Sequence, residues 1–218
     1  MTDERHLTVL MVDLAGYTAL TEAHGSAEAA LVVARYLELA AAATAPGAAL
    51  MERVGDGLVF IAERAEAAVR TAVRLRALAA RTPHFLRLRA GLHAGAVVLD
   101  EGRYVGHALN VAARVTGHAE PGQLLCTETV VHEAVALDGI TFRAIGPVHF
   151  RHLVQPVLVH EIVADADAGE AVIDPVCRMQ VSPAADPVHA TVAGRRYLFC
   201  SIECRDAFIR HPEDYAVR

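Results

Sequence analysis

The apolar and polar positions of the chain fall into runs whose lengths and periods predict its elements. Leu7–Val12 is a continuous apolar run of strand length, as expected of a buried strand. Ser26 is a candidate cap for a helix running through Ala45. The polar residues Glu28, Arg35 and Glu38 recur at helical spacing there and leave a wide apolar face, and Pro46-Gly47 ends the helix. Ala48–Val54 and Leu58–Ala62 are runs joined through Gly55-Asp56-Gly57, a strand–turn–strand pattern. Ala65–Arg81 predicts a second helix with Glu66, Arg70 and Arg74 stacked on its wet face, stopped by Pro83. Phe85–His93 is the next strand, in which Arg87 and Arg89 alternate with Leu86, Leu88 and Ala90. This β-α-β-β-α-β order predicts an α+β fold with a ferredoxin-like core.

Further on, the pattern predicts a strand at Ala96–Asp100, a glycine-bounded loop, a helix around Ala108–His118 and a strand at Gln123–Cys126. A short helix near Glu128–Val135 follows, then strands around Ile140–Ile145, Val148–Arg151 and Val157–Val163. Residues 164–172 are acidic, small and aperiodic, which marks a linker. The expected division is therefore a domain over residues 1–163, the linker, and a small domain over 173–218.

Composition adds limits. A chain of 218 residues that is 54% apolar can build a sizeable core. The net charge of −6 gives no bulk attraction to nucleic acid or to an acidic membrane. The first residues lack a signal-type apolar stretch, and no charge-free window approaches a transmembrane length, so a soluble cytoplasmic protein is expected. All 20 basic residues are arginine, which excludes Schiff-base chemistry and a P-loop lysine. Of the four cysteines, Cys126 is isolated on an apolar strand and suits the core, whereas Cys177, Cys200 and Cys204 cluster near the C-terminal end.

Candidate chemistry sits at the ends of the strands. Asp13 ends the first run, and Asp56 lies at the tip of the Gly-Asp-Gly turn. Together they are a plausible pair of ligands for a hard divalent cation, although Asp-Gly is also a common turn former. On the third helix, Asn110 and Arg114 are one turn apart and share a face. An amide beside a guanidinium suits negative charge developing on a transferring phosphoryl group.

Several segments together resemble the catalytic domain of class III nucleotide cyclases: Met11–Thr18, Val54–Gly57, Arg89–Gly95, Tyr104–Arg114 and Pro121–Gln123. The resemblance covers roughly residues 5–163 and implies a nucleotide cyclase that makes a 3′,5′-cyclic monophosphate and pyrophosphate, a signalling reaction. It implies that Asp13 and Asp56 hold two Mg²⁺ or Mn²⁺ ions per active site and that the amides after Asp13 hold phosphate oxygens. Arg89 would contact phosphate, and Arg151 would stand where the family has a phosphate-binding lysine. Asn110 would orient the ribose and Arg114 would stabilise the transition state, both supplied by the partner subunit of a head-to-tail homodimer with composite sites.

Two positions depart from the adenylate pattern. Glu52 and Arg103 stand where the base-reading lysine and aspartate are expected. A carboxylate accepts from guanine N1–H and the 2-amino group, and an arginine donates to O6, so the pair leans to GTP over ATP. Alternatively Glu52 and Arg103 pair with each other and leave a degenerate, regulatory cyclase fold.

Residues 173–218 resemble a YHS domain, a small metal-associated module of treble-clef-like type, with Arg178 where glycine is usual. Three thiols at Cys177, Cys200 and Cys204 suit Zn²⁺ or copper. A fourth ligand is not evident, and His189, His211 or an exogenous group are candidates.

Overall fold

The computed structural model describes residues 3–134, 137–164, 171–183 and 187–215. Most of the expected linker, and the expected helix end at Val135, lie outside them. The elements open with β1 (Asp3–Leu14), α1 (Tyr17–Ala43), β2 (Ala48–Val54), β3 (Gly57–Ala62), α2 (Ala65–Arg81) and β4 (Leu88–Asp100). They continue through β5 (Arg103–Val105), α3 (His107–His118), β6 (Leu124–Thr127), α4 (Glu128–Glu133), β7 (Ile140–Val148) and β8 (Val157–Ala164). One sheet runs β2-β3-β1-β4-β6-β8-β7, with β5 paired to β4. Its first four strands have the order and antiparallel pairing of a ferredoxin-like core.

Strand alternation divides the packing. Leu10, Val12 and Leu14 face α1 and α2 in the main core, with Leu20, Tyr36, Phe60 and Leu75 fully buried there. Leu7 and Val9 face the other way, onto Ala108 and Ala112 of α3. Helices thus cover both faces of the β1–β4 pair.

Three elements differ from the sequence reading. The helix expected to start at Ser26 begins at Tyr17 and is broken at Gly25 (φ 80, ψ 170), so Ser26 opens only its second segment. The strands expected at 85–93 and 96–100 are one strand, β4, because Gly95 stays in the ladder opposite Leu7. A Cβ at Gly95 would meet His93 Nε2 at 3.0 Å and Ala108 Cβ of α3 at 3.4 Å, so this glycine lies inside a packed ladder and not in a turn. The strand expected at Val148–Arg151 is instead the end of β7 and a loop. Among the described residues, no helix is long and apolar enough to cross a membrane.

The small C-terminal domain has a hairpin of β9 (Val172–Ile173) and β10 (Gln180–Val181), a second hairpin of β11 (Val188–Val192) and β12 (Arg195–Phe199), and α5 (Ile202–Arg210). This is a treble-clef-like arrangement. The domain is docked through a shared core in which Val176, Met179, Phe199 and Phe208 join the cluster containing Phe85 and Leu86. Met179 bridges to Leu86, and the Gln180 N–H donates to the Phe85 carbonyl at 2.8 Å. The buried Gln180 amide also donates to the Ala79 and Phe85 carbonyls.

Candidate active site and metal centre

Strand register brings the acidic pair together. Asp13 pairs with Gly57 on β3, and Asp56 precedes Gly57 in a two-residue turn. Gly55 takes φ 63 at the first central position of that turn, a place glycine fills without strain. The Asp56 carboxyl is raised above the usual carboxylate range by burial first and then by the charge of Asp13. The Tyr36 hydroxyl is fully buried beneath the main core face, has no hydrogen-bond partner among the described residues, and is close enough to feel both carboxylates. Two hard oxygen donors that repel each other fit a divalent cation, which relieves that repulsion.

Arg89 pairs with Asp13 across β1 and β4, and its Nε and Nη2 donate to the Asp13 carboxylate at 2.8 and 2.5 Å. Asp13, Asp56 and Arg89 therefore share one end of the sheet. At that end the Ala15 N–H donates to the Arg87 carbonyl, and the first helical donor of α1 is the Leu20 N–H to the Gly16 carbonyl. Among the described residues, the amides from Gly16 to Ala19 are thus the helix-start donors without an intrahelical partner, suited to an anion.

The remaining expected residues lie elsewhere. Arg103 of β5 donates to Glu52 of β2 within the chain, on an exposed surface. Asn110 and Arg114 share the exposed face of α3, and their side chains form no hydrogen bond among the described residues. Arg151 is exposed on the loop between β7 and β8, which is anchored by Phe150 packed edge-on against His118 of α3. One chain therefore does not gather Asn110, Arg114, Glu52 and Arg103 around Asp13.

The three C-terminal thiols meet as the spacing suggested. Cys177 Sγ lies 3.4 Å from Cys200 Sγ, which lies 3.6 Å from Cys204 Sγ. All are free cysteines. His24, at the end of the first segment of α1, joins them, with Nε2 3.5 Å from Cys200 Sγ and 3.4 Å from Cys204 Sγ. The four ligand atoms lie within 4.8 Å of one another. His189 and His211 are not part of this group: His189 is exposed beside the Pro187 carbonyl, and His211 faces Glu213. Hydrogen bonds from Cys177, then Cys200, hold the Cys204 thiol far below its ordinary value, and the donating Cys177 is pushed far up. Cys126 is fully buried and raised to about 12 by burial, which agrees with a core role.

A residue without an assigned role in the sequence reading positions these thiols. The fully buried Asp174 accepts N–H bonds from Val176 and Cys200 at 2.8 Å each, and from Cys177 at 3.4 Å. It ties both cysteine-bearing turns to one carboxylate. Ser201 caps α5 by accepting the Cys204 N–H at 3.2 Å. An Asp-Pro turn three residues before a cysteine is the sequence signal that marks Asp174; nothing local marks His24.

Between the two domains runs a cleft of about 1060 Å³ lined by Ala15, Gly16 and Arg89 on one side and by Arg178, Arg195 and Arg196 on the other. Arg178 holds φ 68, and its side chain rests on Gly16, where a Cβ would come within 2.5 Å of Arg178 Cβ.

Residues 172–218 match the family model described as the YHS domain. Over 150 residues the chain is 32% identical to a pH-sensitive adenylate cyclase of Mycobacterium tuberculosis, covering 67% of this chain and 38% of that protein. The chain thus spans less than half the length of the curated relative it matches. Among solved structures, an adenylate/guanylate cyclase/hydrolase of Silicibacter pomeroyi is 27% identical with a TM-score of 0.63, covering 75% of this chain and 99% of that one. The adenylyl cyclase CyaB of P. aeruginosa shares the fold with a TM-score of 0.65 at 23% identity, covering 78% of this chain and all of that one (100%).

Proposed function

The chain belongs to the class III nucleotide cyclases and carries a YHS domain, and on that premise we propose that it converts ATP or GTP to the 3′,5′-cyclic monophosphate and pyrophosphate as a homodimer. We take residues 1–163 as the catalytic domain and 173–218 as the appended one. The observation that carries the reading is the Asp13–Asp56 pair at adjoining strand ends, beside Arg89 and a helix start with unpaired amides.

Asp13 and Asp56 would hold two Mg²⁺ or Mn²⁺ ions. When bound, the ions would acidify the ribose 3′-hydroxyl and neutralise the triphosphate. Arg89 donates to Asp13, and nucleotide binding would turn it to a phosphate oxygen. Asn110 and Arg114, exposed on α3, are available to a partner's nucleotide: Asn110 to orient the ribose, Arg114 to meet developing phosphoryl charge. Arg151 supplies a further cation for phosphate. Leu50, Met51 and Val54 on β2 and Val105 on β5 are exposed apolar side chains, which supports pairing of that face with a second copy. The YHS domain acts as a metal-binding regulatory module.

The base is read by Glu52 and Arg103. Their ion pair leans to guanine, because guanine presents donors to the carboxylate and an acceptor to the guanidinium. The same contact favours a second reading, a catalytically degenerate regulatory dimer whose base site is closed by that pair. Incubation of the purified protein with Mn²⁺ and either ATP or GTP separates the two. Cyclic product from either nucleotide, with GTP preferred, is expected, and Glu52→Lys combined with Arg103→Asp shifts the preference to ATP. No cyclic product from either nucleotide would leave the degenerate reading standing.

A further inference from the structure

We propose that His24, Cys177, Cys200 and Cys204 form a single closed Zn²⁺ site shared between the two domains, so that the metal staples the YHS domain to α1. The proposal deepens the reading of the C-terminal domain as a metal module and does not depend on cyclase activity.

The geometry matches the ion. With Zn–S near 2.3 Å and Zn–N near 2.0–2.1 Å, the edges of a tetrahedron are about 3.8 Å between sulfurs and about 3.6 Å from sulfur to nitrogen. The Cys177–Cys200 and Cys200–Cys204 sulfurs lie 3.4 and 3.6 Å apart, the Cys204 and Cys200 sulfurs lie 3.4 and 3.5 Å from His24 Nε2, and all four ligand atoms fall within 4.8 Å of one another. Three thiols and an imidazole make a structural set that leaves no position for substrate or water. The site also has its supporting shell, since Asp174 and Ser201 hold the backbone of all three cysteines.

His24 is what makes the site interdomain. It ends the segment of α1 that begins at Tyr17, and Gly25 then breaks the helix, which leaves the imidazole at a corner facing the thiols. The same segment begins at the unpaired amides beside Asp13. Metal at His24 therefore fixes the far end of the helical segment whose near end faces the nucleotide's phosphates.

The test uses the full-length reduced chain. One Zn²⁺ per chain is expected, with affinity measured by competition against a chromophoric chelator, and Co²⁺ substitution should give an intense tetrahedral spectrum with thiolate charge-transfer bands. His24→Ala should weaken Zn²⁺ binding by at least about 100-fold, the upper scale for losing even an outer-shell partner, and alter the Co²⁺ spectrum. His24→Cys should restore tight binding with a four-thiolate spectrum, which separates ligand loss from misfolding. His189→Ala and His211→Ala should change neither readout. Hydrogen exchange adds a readout across the domains: Zn²⁺ should slow the amides of 17–24 in the wild type and not in His24→Ala. If the wild type binds no metal, the metal-module reading falls along with this one. If the wild type binds Zn²⁺ and His24→Ala keeps its affinity, spectrum and exchange pattern, the shared site alone is overturned.

Discussion

Charge placed against charge decides most at the scale of single residues. Asp56 is raised by burial and by Asp13, and a cation held between them would remove that cost. The exposed Glu52–Arg103 pair contributes little to stability, which fits the base-reading role proposed for it. His93 on β4 shows the opposite shift. Burial first, then the positive charges of His107 and His6, lower it from 6.5 to about 4, and its Nδ1 lies 2.9 Å from Thr127 Oγ1. Between those pH values the unfolded chain binds a proton that the folded chain refuses, so stability rises with pH across the window. The contribution is complete above pH 6.5 and is lost as pH falls towards about 4. Thermal midpoints measured from pH 7 to 4 should fall, and His93→Gln should make that fall shallower. An unchanged slope in the variant would show that His93 is not the group responsible.

At the scale of elements, α3 must lie close on the sheet for Asn110 and Arg114 to stand in place. Gly91 permits it: a Cβ there would sit 2.3 Å from the Thr116 amide nitrogen. Gly91→Ala should therefore cost about 3 kcal/mol, the upper end for overpacking, with a parallel loss of turnover. Chemical denaturation measures the first, and a variant as stable as the wild type would refute the close-approach argument. The elements also show where sequence reasoning reaches its limit. The bounds of α2 and the β2–β3 turn follow from local signals, a proline stop and a Gly-Asp-Gly turn. Gly95 and Gly25 carry the same letter with opposite meanings: one stays in the ladder of a strand, the other breaks a helix. Only the packing of α3 on β4 and the docking of the C-terminal domain on α1 distinguish them. His24 is separated from Cys200 by 176 positions, so no spacing rule joins them. The three cysteines lie within one small domain, and their grouping was legible.

At the scale of the whole molecule, the two halves of the proposed catalytic apparatus face different directions. Asp13, Asp56 and Arg89 gather at one end of the sheet, while Asn110 and Arg114 stand exposed on α3 across the sheet from α1 and α2. The C-terminal domain closes over Gly16 through Arg178 and leaves an arginine-lined cleft beside Arg89. The family resemblance was legible from ordered motifs, but this docking was not, because it depends on Phe85, Leu86, Met179 and Gln180 meeting in three dimensions. The central claim is that a complete site needs two copies of the chain. Asp56→Asn and Arg114→Ala should each be inactive, because each spoils both sites of its homodimer. Mixed and allowed to exchange subunits, they form heterodimers with one intact site. Such a mixture should recover about a quarter of wild-type cyclic-nucleotide formation, from random pairing in a two-fold dimer. A mixture as inactive as its components, despite demonstrated subunit exchange and an active wild type, would contradict the composite site.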